Sequence, residues 1–111
     1  MPEPRLAAGI WVSAYLARLG LANIPAYVIA HGDDTAGAVL VKCVRPDGSA
    51  RLYAREWDFD TDTRPWQLTG EGPEARIDET IRRQRGFDPD LWVIEIESRD
   101  GRTLLDEVGL D

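Results

Sequence analysis

Apolar positions between Ala7 and Leu21 recur at helical spacing, with no internal proline and with Gly20 near the end, and this predicts a helix over that stretch. Laid out at about 100° per residue, Val12, Tyr15, Leu16 and Leu19 form one apolar stripe. Ile10, Ala14, Ala17 and Leu21 form a second on nearly the opposite side, with Ser13 and Arg18 between the two. A helix apolar most of the way round expects burial on more than one side. Either the remaining chain wraps it or a second subunit does.

Three β-like runs follow. Tyr27–Ala30 is short, Ala36–Val44 is nearly all apolar as in a central strand covered on both faces, and Arg51–Trp57 alternates less cleanly. Arg45-Pro46-Asp47-Gly48 between the second and third is a strong hairpin turn, with proline presetting φ and glycine free to take positive φ. His31-Gly32-Asp33-Asp34 separates the first from the second in the same way, so the three are expected to form a meander. The polar stretch from Asp58 to Gly72, with Trp57, Phe59 and Trp66 interspersed, reads as one long loop.

A second helix is expected after it, with Pro73 at its first position, Glu74 at the positive end of its dipole and Gly86 at its stop. Ile77 and Ile81 make a narrow apolar stripe, extended by Phe87 packing back onto Ile81. Asp78 with Arg82, and Glu79 with Arg83, stand four residues apart on the wet side. Leu91–Ser98 then alternates as a strand, Trp92, Ile94 and Ile96 on one side and Val93, Glu95 and Glu97 on the other. Thr103–Val108 reads as a short edge strand or a frayed helix. The order α-β-β-β-α-β describes one α+β domain over residues 1–111, a mainly antiparallel sheet packed by two helices, the second of which can serve as a crossover.

Two long segments, Gly32–Val41 and Phe87–Glu97 with Arg99-Asp100-Gly101 after it, together with Trp11-Val12 at the helix start, resemble the DUF1491 family. The resemblance covers nearly the whole chain. It implies a short cytosolic alphaproteobacterial protein with a single fold unit, and it implies no catalytic residue.

Charge narrows the functions. Of 111 residues, 13 are Lys or Arg and 20 Asp or Glu, for a net charge of −7. That opposes nucleic-acid binding, which rests on clustered cations releasing counterions from phosphate. Lys42 is the only lysine, so Schiff-base or phosphate-loop lysine chemistry could come from it alone, and no glycine-rich loop precedes it. Gly32 and Gly37 precede a strand, whereas phosphate-cradling glycines follow one and open a helix. Met1–Arg5 lacks the pattern of a secretory signal, and the apolar stretch Leu6–Ala30 is broken by Gly20, Asn23 and Pro25. What remains is too short for about 30 Å of hydrocarbon. A cytoplasmic protein that binds neither membrane nor nucleic acid is therefore expected. The lone cysteine, Cys43, excludes an intramolecular disulfide and a C-x-x-C site.

Three constellations bear on chemistry. Asp58, Asp60 and Asp62 have the opening spacing of an EF-hand loop, but Thr63 and Thr69 stand where glycine and a bidentate glutamate are required. Asp88, Asp90, Glu95 and Glu97 could together hold a divalent cation for hydrolysis, in the manner of restriction-endonuclease-type nucleases. The lysine expected two residues after the acidic pair is absent, and the alternative is that Glu95 and Glu97 pair with Arg51 and Arg55 across strands. His31 has Asp33 and Asp34 beside it but no matched nucleophile, since Cys43 lies within an apolar run. Trp11 and Trp92 read as core. Trp57, Arg64 and Trp66 suit an anchor for a protein partner. The expectation is a non-enzymatic protein-binding or accessory module without catalytic residues, metal or cofactor, dimerising through the first helix or a sheet edge. The divalent-metal hydrolase is the alternative.

Overall fold

The computed structural model describes residues 6–55 and 63–111. Trp57 and the Asp58–Asp62 acidic run lie outside the described residues. The elements are α1 (Ala8–Leu21), β1 (Ala26–Ala30), β2 (Val39–Val44), β3 (Ser49–Arg55), β4 (Trp66–Pro73), α2 (Glu74–Phe87) and β5 (Trp92–Glu97). They form an α+β fold around one five-stranded sheet of order β1-β5-β2-β3-β4.

The α1 helix has no side-chain cap; instead the Ala8 and Gly9 amides donate to the carbonyls of Thr35 and Asp34 at 3.3 and 2.8 Å. It ends on Asn23 at φ 59° rather than on Gly20. The Asn23 and Ile24 amides turn back to the carbonyls of Gly20 and Leu19, the paired bonds of a Schellman stop.

The β2–β3 hairpin is antiparallel through the Pro46–Gly48 turn, with Gly48 at φ 86°. The meander, however, does not form. β1 pairs with β5, which inserts between β1 and β2 and runs parallel to β2. A strand that alternates Trp, Ile and Ile against Val and Glu buries both faces, and the centre of the sheet is where both are covered. Residues 66–72, expected in a loop, form β4 together with Pro73, antiparallel to β3. Pro73 closes that strand and precedes α2 by one residue. Because β4 and β5 run the same way, the chain must cross over between them, and α2 makes that crossing.

Alternation sends side chains to two cores. Val41, Cys43, Trp92, Ile94 and Ile96 pack with Trp11, Tyr15 and Leu19 of α1, joined by Leu104, Leu105 and Leu110. Leu40, Ala50, Leu52 and Val93 pack with Ile77 and Ile81 of α2 on the other face. Phe87 does not fold back onto Ile81; helix α2 runs through it and leaves it 86% exposed. Residues 103–110 form neither strand nor helix but a succession of turns.

Candidate functional site

Lys42, a cation in an otherwise apolar strand, faces α2 from β2. Its ammonium donates to Glu74 Oε2 at 2.7 Å, Asp78 Oδ1 at 2.6 Å and Glu95 Oε1 at 3.0 Å. Three donors meet three carboxylates, so the side chain is fully satisfied although Lys42 is only 4% exposed. Two elements supply the carboxylates. Glu74 and Asp78 are one helical turn apart at the start of α2, and Glu95 is the register partner of Lys42 on β5. Burial pushes the lysine pKa down, but the three carboxylate hydrogen bonds outweigh it, and the net shift is upward. The expected pairing of Glu95 with Arg51 or Arg55 is thereby replaced. Arg51 pairs with Glu71 at 3.2 Å, and Asp78 turns to Lys42 rather than Arg82. Glu79–Arg83 does form, at 3.8 Å and in solvent.

The four acidic candidates are not brought to one place. Asp88 accepts the Asp90 amide through Oδ1 at 3.1 Å, a local turn ahead of β5. Glu95 lies about 17 Å further along the extended chain at ~3.3 Å per residue, tied to Lys42, and Glu97 lies beyond it. Among the described residues no three His, Cys, Asp or Glu side chains are gathered as ligands for a metal.

Gly32, Asp33 and Gly37 build a clasp around the entry to β5. The Asp33 amide donates to the Asp90 carbonyl at 3.0 Å, the Trp92 indole to the Asp33 carbonyl at 2.8 Å, and the Trp92 amide to the Ala38 carbonyl at 2.8 Å. Asp33 Oδ2 accepts the Thr35 and Ala36 amides at 3.1 and 2.8 Å, which shapes the loop. His31 rests on the Trp92 ring, centroids 4.0 Å apart, with Asp34 3.6 Å from its Nε2 in solvent. Cys43 is buried, and burial first of all pushes its thiol pKa up, with Arg45 and Arg51 opposing.

Trp66 is half-buried. It lies 5.2 Å from the Trp11 ring, and the Arg55 guanidinium sits over both, 4.7 Å from Trp66 and 5.3 Å from Trp11. Arg64 lines a shallow depression with Arg55, Gln84 and Phe87 at the far end of α2. Tyr15 donates its hydroxyl to the Thr103 carbonyl at 2.8 Å, and burial, reinforced by Cys43 and Tyr53, raises its pKa well above the usual phenol value.

Tyr15, Lys42 and Cys43 are all raised, so in alkali the folded protein keeps protons that the unfolded chain has released. Stability is then full at neutral pH and falls as pH climbs past the ordinary values, about 8.5 for a thiol and about 10 for Tyr and Lys. Urea midpoints are expected to stay level up to about pH 8 and to decline above about pH 9.5, with Tyr15 ionising only as the protein unfolds. A midpoint that rises in that range contradicts the assignment.

The family described as proteins of unknown function, DUF1491, matches residues 6–106. The chain belongs to the DUF1491 family. A crystal structure of a DUF1491 protein from Caulobacter crescentus is 41% identical, with TM-score 0.79, over 92% of this chain and 94% of that one. An NMR structure of a DUF1491 protein from the same organism is 40% identical at TM-score 0.82, covering 95% and 96%. A solution structure of a protein from A. tumefaciens is 32% identical at TM-score 0.78, again covering 95% and 96%. No functionally curated protein matches. In this DUF1491 chain the two segments that carry the resemblance, Gly32–Val41 and Phe87–Glu97, are the two halves of the clasp, so what they specify here is the insertion of β5.

Sequence reasoning missed the Lys42 cluster and the side-chain donors that hold the backbone of residues 103–110. The one available signal for the first was a lysine inside an apolar run; nothing signalled the second. Among the described residues no helix is long and apolar enough to cross a membrane.

Proposed function

We propose that this protein is a non-enzymatic accessory module of the cytoplasm that works through a protein interface, and that this interface joins two copies along the β1 edge and the outer stripe of α1. The observation that carries the reading is an uncharged apolar face on a chain of net charge −7. Strand β1, Ala26–Ala30, ends the sheet and contains no charged residue; Tyr27, Val28 and Ile29 are exposed along it. Beside it α1 turns Ile10, 60% exposed, and Leu21, 87% exposed, to solvent. Two acidic copies repel over most of their surfaces and least across such a face. Antiparallel β1–β1 pairing about a two-fold axis satisfies the edge amides and carbonyls of both. The reading is supported further by the reactive groups, since Lys42 is committed to three carboxylates and Cys43 is held as a neutral thiol.

Sedimentation at micromolar concentration is expected to show a dimer. Ile29→Glu, which places like charges face to face at an edge, is expected to weaken it at least ~10-fold. A wild-type chain that sediments as a monomer up to millimolar concentration overturns the proposal, as does an Ile29→Glu variant that dimerises equally well.

A further inference from the structure

Five body side chains aim donors at the backbone of one irregular segment. Leaving β5, the chain turns through residues 98–102 and lies along α1 as a strap, residues 103–110, without joining the sheet. Tyr15 holds the Thr103 carbonyl, and Arg18 Nη1 holds the Val108 carbonyl at 2.7 Å. At the end of the strap Trp11 Nε1, Trp66 Nε1 and Arg55 Nη2 all donate to the carbonyl oxygen of Leu110, at 3.3, 3.0 and 2.6 Å. Leu104, Leu105 and Leu110 are buried. Contacts of this kind hold a main chain whatever its sequence, and the leucine sockets alone select side chains.

The Leu110 oxygen is a poor match for what surrounds it. A carbonyl offers two lone pairs, whereas here two indoles and a full positive charge converge on it. An ionised carboxylate suits three such donors better, because charge-assisted hydrogen bonds are shorter and stronger and a guanidinium can meet both carboxylate oxygens. The strap also holds one strained residue, Leu104 at φ 63°, and turns at Gly109, whose φ of 92° glycine adopts without strain and a residue with a Cβ does not. The strap's own charged residues, Asp106 and Glu107, are both acidic, and Glu107 pairs with Arg102 at 3.3 Å.

We propose that the cradle of Trp11, Arg55 and Trp66 is a peptide-binding site that residues 103–110 occupy in cis. In trans it takes an acidic peptide ending in leucine, whose terminal carboxylate replaces the Leu110 carbonyl. The strap is then the built-in competitor, and a partner peptide binds to the extent that the strap is released. This site lies apart from the proposed dimer edge and stands or falls independently of it.

The test uses the full chain and a fluorescein-labelled octapeptide of its own residues 103–110, made once with a free carboxylate and once amidated. Gly109→Val strains the strap without touching the cradle, since an added Cβ meets only Arg18 Nη1, at 3.7 Å. Leu110→Ala empties the socket directly. Both variants are expected to bind the carboxylate peptide at least ~10-fold more tightly than wild type. Each is also expected to favour it over the amide by about 10-fold, a preference lost in Gly109→Val/Arg55→Gln. A folded Gly109→Val variant that binds neither peptide, or both alike, overturns the proposal. Should neither variant fold, the wild-type indole N–H signals of Trp11 and Trp66 decide. They are expected to shift with millimolar carboxylate peptide and not with the amide, and unmoved signals overturn it.

Discussion

Gly32→Ala is expected to destabilise the protein by about 3 kcal/mol and to lower its melting temperature by roughly 10–15 °C. A Cβ at Gly32 would lie 2.3 Å from the Asp90 carbonyl oxygen, 2.5 Å from Trp92 Cδ1 and 2.7 Å from the Trp92 amide nitrogen. Two of those atoms are backbone, held by the bonds from Asp33 to Asp90 and from Trp92 to Ala38, so no side-chain rotation relieves the overlap. The clasp must open, and opening it loosens β5, an interior strand of the sheet. Gly86→Ala is the control: its Cβ meets nothing within 4 Å inside a helix, and it is expected to stabilise by about 0.5–1 kcal/mol. Differential scanning calorimetry of the two variants settles the matter. A Gly32→Ala melting temperature within a few degrees of wild type refutes the role given to the clasp.

Lys42→Met carries the other large effect, a loss of about 3–5 kcal/mol in urea unfolding at neutral pH. Methionine keeps an apolar stem in the sheet but leaves Glu74, Asp78 and Glu95 facing one another without the ammonium that each reaches within 3.0 Å. Like charges brought together favour protonation, so the deficit is expected to shrink on acidification. Adding Glu95→Gln and Asp78→Asn to Lys42→Met is expected to recover part of the loss, because the variant then has fewer uncompensated charges to bury. A loss below about 1 kcal/mol, or one unchanged between neutral and acidic pH, means that the cluster is a bystander.

The acidic candidates illustrate why chemistry was harder to read than fold. Glu95 and Glu97 look like a pair because a strand places both on one side, yet Glu95 is consumed by a lysine 53 positions away. No local pattern announces that meeting, since it depends on β5 entering the sheet beside β2. Strand β4 was illegible for a related reason. Its Gln67, Leu68 and Thr69 are exposed at the sheet margin, and Gly70 and Gly72 interrupt it, so the apolar alternation that marks buried strands never develops. The strap at residues 103–110 is invisible to periodicity because its carbonyls are held by side chains of α1, β3 and β4.

Where apolar positions repeat with a fixed period, or a proline–glycine turn joins two strands, the order of residues alone placed the element. It determined α1 with its two apolar stripes, the β2–β3 hairpin at Pro46–Gly48, α2 as a crossover and the alternation of β5. Only the tertiary structure decided that β1 pairs with β5, that Lys42 gathers three carboxylates and that Leu110 closes the cradle of Trp11, Arg55 and Trp66. Those contacts join residues tens of positions apart, and their partners are chosen by which faces remain to be covered once the sheet has assembled, a property of the whole fold and of no single segment.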